Sequence, residues 1–237
     1  MKAVVVGYGA MGKLLASTLG AELASVVAIE CENKKLDDVK EDFDVIIDFS
    51  NPANLDMIID YVKKTSKPVV FATTGYTDEQ NKKIEELAKT APVLKSANFS
   101  LGVILLNRLV KEITPILKDQ YDIEVIEAHH NKKKDAPSGT AKMLVKSIVD
   151  ATGYTVNEGR SGICPRDKKE VGVSAIRGGT IVGEHDVMYC GEDEVLTLKH
   201  EAFSKKIFAN GAILAARWLC NQKNGFYDME DVLFKNK

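Results

Sequence analysis

Lys2-Ala3-Val4-Val5-Val6-Gly7-Tyr8-Gly9-Ala10-Met11-Gly12-Lys13-Leu14-Leu15-Ala16-Ser17-Thr18-Leu19 is the stretch on which the fold turns. Residues 2–6 form a short, mostly apolar run, and Leu14, Leu15, Thr18 and Leu19 recur at helical spacing. The segment therefore reads as strand, tight turn, helix. Gly7 can supply the turn, Gly9 lets the backbone approach a pyrophosphate, and Gly12 lets helix and strand pack closely. The helix start then turns its positive end toward the phosphates.

A three-glycine turn is common, so its surroundings carry the argument. Val26-Val27-Ala28-Ile29 reads as a second strand. Glu30 follows, about 20 residues beyond the glycines, where a carboxylate would grip the adenosine ribose hydroxyls. Glu32 is the alternative acid, and a plain surface carboxylate is the bland reading of either. No arginine follows, although Lys34 and Lys35 could partly meet a ribose phosphate, so the pattern admits NADH or NADPH. Residues 43–49, 68–71 and 92–94 read as further strands, alternating with amphipathic helices at 52–64 and 77–89. Repeated strand-helix units predict a Rossmann-type α/β fold, a doubly wound parallel sheet with its ligands beyond the carboxyl ends of the strands. Ser50, Thr73, Thr74 and Asn98 then become candidates to line a dinucleotide cleft, with turn chemistry as their other common use.

Past Asn98 the pattern changes. Apolar residues at 101, 104, 105, 109, 113, 116 and 117 form a helical stripe whose default explanation is core packing, and Pro115 should kink or end the helix. Then comes Glu127-Ala128-His129-His130-Asn131-Lys132-Lys133-Lys134-Asp135-Ala136-Pro137-Ser138-Gly139-Thr140. Before it, Ile123, Val125 and Ala128 interleave imperfectly with Asp122, Glu124 and Glu127, as in a half-buried strand. After it, Ser138 can cap a helix to about residue 150, with Met143, Leu144 and Ile148 inward. The loop gathers two imidazoles and three ammonium groups beside amides on Gly139 and Thr140 that can hold an anion, and it suits a carboxylate. Crowded like charge should make a lysine there give up its proton more readily, which favours general acid work. A charge run is often only a solvated turn; the Pro-Ser-Gly-Thr that follows weighs toward a site.

Residues 154–170 read as a long polar loop, with Arg160 and Arg166 as surface charge. Runs at 171–176, 180–190 and 194–200 read as a meander, so this half should hold a mixed sheet with an open edge or face that another subunit could cover. His185 and His200 fall inside that sheet, where structural histidines predominate. Ser204 caps a last helix to about residue 221, weakened by Gly211, and this helix with Gly225–Asp228 is expected to return to the first domain. The predicted organisation is a dinucleotide-binding Rossmann domain at 1–99 and 205–237, and an α+β substrate-binding and oligomerisation domain at 100–204 with a mixed, largely open sheet.

Of 237 residues, 45% are apolar and 28% charged, enough for a sizeable core, and a net charge of -2 makes no electrostatic case for nucleic acid. No run is long enough to span a bilayer, and the first apolar run is too short for a signal peptide, so a cytoplasmic protein is expected. Cys31, Cys164, Cys190 and Cys220 lie far apart and without metal-ligand spacing, which favours free thiols over disulfides or a metal.

Taken in order, these blocks resemble the dihydrodipicolinate reductases of the diaminopimelate route to lysine. Glu127 to Ala141 is the most specific match, supported by Gly7–Gly12, Asp48-Phe49-Ser50, Thr73-Thr74-Gly75, Ala97-Asn98-Phe99-Ser100, Arg177–His185 and Phe208–Ala212. The resemblance implies an NADH- or NADPH-dependent reduction of a small cyclic dicarboxylate, with His129 and Lys133 as the acid-base pair. It implies substrate contacts from His130, Ser138, Gly139 and Thr140. Cofactor contacts would come from Gly7, Tyr8, Gly9, Ala10, Met11, Gly12, Glu30, Ala72, Thr73, Thr74, Ser96, Ala97, Asn98 and Phe99. It also implies a homotetramer joined through the second domain's sheet. Two positions depart from the family pattern: Ala72 stands for a frequent glycine, and Cys31 for an arginine that would favour NADPH. A non-catalytic nucleotide sensor would share the glycine turn without needing the histidine-lysine loop.

Overall fold

In the computed structural model the described residues are 1–28 and 35–235, so the expectations resting on Glu30, Cys31, Glu32 and Lys34 lie outside them. The chain divides into two compact units, Met1–Leu101 with Lys206–Lys237, and Gly102–Lys205. The first unit opens with β1 (Ala3–Val6), α1 (Ala10–Leu19), β2 (Leu23–Val27) and β3 (Val45–Asp48). The helix expected from Pro52 is split: a 3-10 turn over Pro52–Asn54, entered through an Asn51 side chain that accepts from the Ala53 amide, precedes α2 (Leu55–Thr65). β4 (Val69–Phe71), α3 (Asp78–Leu87) and β5 (Pro92–Lys95) follow. α3 starts where Thr77 and Gln80 exchange side-chain and backbone hydrogen bonds, which satisfies two amides of its first turn. β1, β3 and β4 are buried at every residue, as strands covered by helices on both faces must be.

The second unit contains α4 (Leu101–Leu117, its first residue counted with the first unit), β6 (Asp122–His129), α5 (Gly139–Thr152), β7 (Thr155–Glu158), β8 (Glu170–Arg177), β9 (Gly183–Cys190) and β10 (Val195–Ala202). Its sheet has the order β10-β9-β6-β8-β7. β8 runs parallel to β6 and β7, whereas β9 runs antiparallel to β6 and β10. The sheet is mixed, as expected, but it is no meander: β6 inserts between β8 and β9, and only β9 and β10 form a hairpin. The expected long loop at 154–170 contains β7, an edge strand whose mostly exposed residues carry no hydrophobic alternation to betray it. Nor are Arg160 and Arg166 free surface charge. Arg160 pairs with buried Glu170, and Arg166 pairs with Asp122 and Glu124 and donates to the Ile123 and Glu170 carbonyls.

The stripe read on α4 is corrected as well. Leu101, Leu105, Leu109 and Ile116 are exposed, while Val103, Ile104, Leu106, Asn107, Val110 and Thr114 are buried. The buried face includes two polar residues because both find partners inside: Asn107 Oδ1 accepts from Ser147 Oγ at 2.8 Å, and Thr114 Oγ1 lies 2.6 Å from the Tyr189 hydroxyl. Pro115 sits in the last turn, and the helix ends at Leu117. The core on this side joins Leu106 and Val110 to Leu144 and Ile148 of α5 and to Ile123, Val125, Val171, Val173, Val187 and Tyr189 of the sheet.

α6 (Lys206–Leu219), β11 (Gly225–Tyr227) and α7 (Met229–Phe234) belong to the first unit. β11 adds to β5, giving a six-stranded sheet of order β11-β5-β4-β3-β1-β2 in which every pairing is parallel. α2 and α3 share one core cluster with β1, β3 and β4, while α6 packs against α1 and runs along β3, β4 and β5. Gly211, expected to weaken α6, is instead what allows its approach, because a Cβ there would lie 1.7 Å from the Phe99 carbonyl oxygen. Gly211→Ala should therefore destabilise the protein by about 3 kcal/mol or more. An unchanged urea midpoint would show that the helix can retreat at no cost.

Candidate active site

In the parallel sheet the strand order reverses between β1 and β3, the place where open α/β sheets bind ligands. The glycine turn lies there. Gly7 has φ +102°, and a Cβ on it would stand 2.4 Å from the Phe49 carbonyl oxygen; a Cβ on Gly12 would stand 2.1 Å from the Gly7 oxygen. Both glycines are sterically required. Gly9 differs: it caps α1 without any side-chain hydrogen bond, and a Cβ there would meet nothing within 4 Å. Tyr8, Gly9 and Ala10 are exposed and Met11 is half-buried, and among the described residues no side chain caps the first turn of α1.

At the end of β3, buried Asp48 accepts from Ser50 Oγ at 2.5 Å and from the Tyr76 hydroxyl at 2.8 Å. Burial raises the Asp48 pKa against the pull of these hydrogen bonds and one from Thr73. Thr73 Oγ1 accepts from the Ser50 amide at 2.7 Å, and Asn98 Oδ1 accepts from the Ser100 amide at 2.8 Å. Ser50, Thr73 and Asn98 thus shape the strand ends through their side chains. Ala72 and Phe99 are buried, Phe99 with its ring 6.0 Å from that of Phe49. Thr74, Ser96 and Ala97 border a cavity of about 450 Å³ together with Thr73, Gly75, Tyr76, Asn81 and Lys95. Lys95 donates to Asn81 at 2.5 Å, and burial lowers its pKa, partly offset by Glu85.

In the second unit, Ile123, Val125, Glu127 and His129 occupy alternate positions of β6 and so share the face that α5 covers. That row is apolar first and charged at its end, beside the start of α5. Glu127, fully buried, accepts from Arg177 Nη2 at 2.7 Å and Nη1 at 2.8 Å, from the Ser138 amide at 3.0 Å and from His129 Nδ1 at 2.6 Å. Burial disfavours its charge, but these donors outweigh that cost and hold its pKa below the usual range. His129 is pushed below the ordinary histidine value, by burial first and then by Lys133 and Arg177, against the attraction of Glu127.

Ser138 caps α5 by accepting from the Ala141 amide at 3.1 Å, and its Oγ lies 2.9 Å from His185 Nε2. The His129 and His185 rings meet edge to face, 5.2 Å between centroids. Lys133 Nζ lies 2.9 Å from Asp135 Oδ1, so the crowding of like charge expected here is relieved by a carboxylate inside the same loop. Arg177 Nη2 also donates to the Asp135 carbonyl at 2.6 Å.

The structure thus brings His129, Ser138, Glu127, Arg177 and His185 into one network, with Lys133 attached through Asp135. His130 and Thr140 are half-buried and Gly139 is exposed at the helix start. Glu127, Arg177 and His185 escaped sequence reading as parts of this network. The two-residue spacing of Glu127 and His129 was a usable signal, since it puts both on one face of a strand. The pairing of His129 with Arg177 and of Glu127 with His185 across the sheet had none. Among the described residues, no group of three or more His, Cys, Asp or Glu is placed to hold a metal ion, and no helix is long and apolar enough to cross a membrane.

Residues 1–99 match the family described as dihydrodipicolinate reductase, N-terminus, and residues 102–233 match dihydrodipicolinate reductase, C-terminus. The 4-hydroxy-tetrahydrodipicolinate reductase of Clostridium novyi (strain NT) is 48% identical over 192 residues, covering 80% of this chain and 76% of the relative. That of Brachyspira hyodysenteriae is 42% identical over 235 residues, 98% of this chain and 100% of the relative. Among solved structures, the dipicolinate-bound dihydrodipicolinate reductase from Paenisporosarcina sp. TG-14 superposes with a TM-score of 0.77 at 19% identity, over 96% of this chain and 97% of that one. A probable dehydrogenase from Thermotoga maritima, at TM-score 0.61 and 10% identity over 98% and 92% of the two chains, shares the fold.

Burial, with the charge of His129 next, lowers the His185 pKa to about 4 from an ordinary 6.5. The unfolded chain then binds the extra proton first, so the contribution of His185 is complete above pH 6.5 and is lost as pH falls toward 4. The loss amounts to on the order of 3 kcal/mol. Urea unfolding between pH 7 and 4 should show this fall, with a shallower slope in His185→Asn. Equal slopes would mean that His185 is not held neutral.

Proposed function

The chain belongs to the dihydrodipicolinate reductase family, and from that premise we propose how its residues carry out the NAD(P)H-dependent reduction of 4-hydroxy-tetrahydrodipicolinate to tetrahydrodipicolinate, a step of the diaminopimelate route to lysine. The nicotinamide dinucleotide supplies a hydride when bound. The residues fit it: Gly7 and Gly12 bring backbone against backbone, and the start of α1 is open at Gly9, as a pyrophosphate requires. Gly7, Tyr8, Gly9, Ala10, Met11 and Gly12 hold the phosphates, and Glu30 the adenosine ribose. Ala72, Thr73, Thr74, Ser96, Ala97, Asn98 and Phe99 take the nicotinamide end. Met1–Leu101 with Lys206–Lys237 is then the cofactor unit, and Gly102–Lys205 the substrate unit.

One observation carries the reading of the substrate site: β6 ends in a buried, carboxylate-held imidazole, with an ammonium group four residues on and a helix start beside it. The neighbour from Paenisporosarcina was solved with dipicolinate, a flat diacid. A diacid of that kind suits the basic loop here: His130 and the helix-start amides of Gly139 and Thr140 bind its carboxylates, and Ser138, whose own amide and hydroxyl are committed to Glu127 and Ala141, holds that helix start in place. Loss of the 4-hydroxyl as water turns the substrate into a conjugated imine, and adding a hydride to it leaves an electron pair on the ring that a proton must neutralise. A donor in place at that moment stabilises the transition state more than the ground state. Burial favours the neutral form of His129, and Lys133, four residues on in the same loop, is the donor with His129 its partner in proton exchange.

The sheet face opposite α4 and α5 leaves Ile176 and Val195 about half exposed, at 52% and 56%, and a homotetramer joins through it. The enzyme works in the cytoplasm, in keeping with the free thiols of Cys164, Cys190 and Cys220.

With freshly generated substrate, oxidation of NADH or NADPH should follow protein concentration. Lys133→Ala should lower kcat by roughly 10²–10⁴-fold without loss of cofactor binding; full turnover would remove Lys133 as the donor. Gly9→Ala should weaken cofactor binding roughly tenfold at an unchanged urea midpoint, because the added methyl fills the phosphate cradle and touches nothing in the fold. Tight binding by that variant would place the phosphates elsewhere. Light scattering should give four times the 26.0 kDa chain mass, and Ile176→Glu a smaller particle; a monomeric parent protein would exclude the tetramer.

A further inference from the structure

Glu127 can only accept hydrogen bonds when ionised, and each of its oxygens already takes two. Oε1 accepts from Arg177 Nη2 at 2.7 Å and the Ser138 amide at 3.0 Å; Oε2 accepts from Arg177 Nη1 at 2.8 Å and His129 Nδ1 at 2.6 Å. The carboxylate is saturated, and it cannot turn without releasing a donor inside the protein. Because the acceptor is an anion, the shared proton sits on His129 Nδ1. The opposite edge of the ring, at Nε2, faces Gly183, where even an added Cβ would come within 3.0 Å. The His185 ring meets it edge to face, 5.2 Å between centroids.

We propose that Glu127 is the positioning residue for His129, with Arg177 as its ionic anchor, so that the imidazole keeps one proton on Nδ1 and exchanges protons only through Nε2. The proposal rests on the assignment of His129 to proton exchange. It goes further in fixing which nitrogen works and what fixes it, as carboxylates do for the ring nitrogen of other functional histidines. The same guanidinium reaches the other proton-handling group. Arg177 Nη2 donates to the Asp135 carbonyl at 2.6 Å, and Asp135 Oδ1 pairs with Lys133 at 2.9 Å. Arg177 therefore reaches toward both groups, whereas Glu127 bonds to His129 and not to Lys133 or Asp135. The charged or titratable groups facing His129 are Glu127 on its own strand, Lys133 and Asp135 in the loop, Arg177 on β8 and His185 on β9. Of these, Glu127 has the strongest favourable effect on the imidazolium. Removing its charge should shift the His129 titration to lower pH.

The test is nitrogen-15 NMR of the histidine-labelled full-length protein, with the His129 signals identified by their loss in His129→Asn. At pH 8 the parent protein should show His129 protonated at Nδ1 and bare at Nε2. In Glu127→Gln the two tautomers should mix and the titration midpoint should fall. In that variant kcat should drop by about 10- to 100-fold, with the substrate KM within about threefold of the parent, and Glu127→Asp should recover part of the loss. A parent spectrum with the proton on Nε2 overturns the proposal without any variant, so a failure of Glu127→Gln to fold does not protect it. An unchanged tautomer and midpoint in Glu127→Gln overturn it too, whatever happens to kcat. If His129→Asn keeps full turnover while the spectra behave as expected, the proton role of His129 falls and the positioning by Glu127 stands.

Discussion

A carboxylate removed from water costs several kcal/mol unless charge and hydrogen bonds replace its hydration, and fully buried Glu127 obtains both. Its donors come from three places: its own strand through His129, β8 through Arg177, and the start of α5 through the Ser138 amide; the same guanidinium also donates to the Asp135 carbonyl of the loop. Strand register, loop path and helix start must therefore agree for the charge to be tolerated. A sheet that shifted by one residue would turn Glu127 to the other face and leave Arg177 without that carboxylate. The functional loop is in this sense part of the folding problem of the second unit.

The first unit meets a different constraint, steric rather than electrostatic. Gly7, Gly12 and Gly211 stand where backbone carbonyls approach to distances no side chain could survive, and together they set how closely α1 and α6 lie on the sheet. Gly9 stands apart because nothing around it needs the missing Cβ. Comparing these four glycines separates packing from other uses: three are held by the fold, and one is not. Asp48 adds a buried carboxyl with hydroxyl partners and raised pKa at the end of β3, tying the turns after β3 and β4 together.

Polar residues on core faces recur throughout. Asn107 and Thr114 turn inward on α4 because Ser147 and Tyr189 satisfy them, and four exposed apolar residues are left outside. Glu127, His129 and His185 do the same on the mixed sheet. In each case a hydrogen-bond partner inside the fold outweighs the hydrophobicity of the alternative face, and for all but His129 that partner lies far along the chain.

Local patterns were legible without coordinates wherever the physics is local. The glycine turn, the capped start of α5 and the alternating strands and helices of the parallel sheet could be read from residue type and spacing, and the family from the resemblance of whole blocks of sequence. Tertiary structure alone decided the rest. β7 is mostly exposed and shows no hydrophobic alternation, and β8 supplies the hydrogen bonds that make it a strand. β6 lies between β8 and β9 because pairing partners are chosen by the whole sheet, and periodicity within a strand says nothing of its neighbours. The inward face of α4, the need for Gly211 and the grip of Arg177 on Glu127 likewise depend on atoms 40 to 112 positions away. Sequence spacing reports what a residue can do with its near neighbours, and only the folded chain determines which distant group it meets.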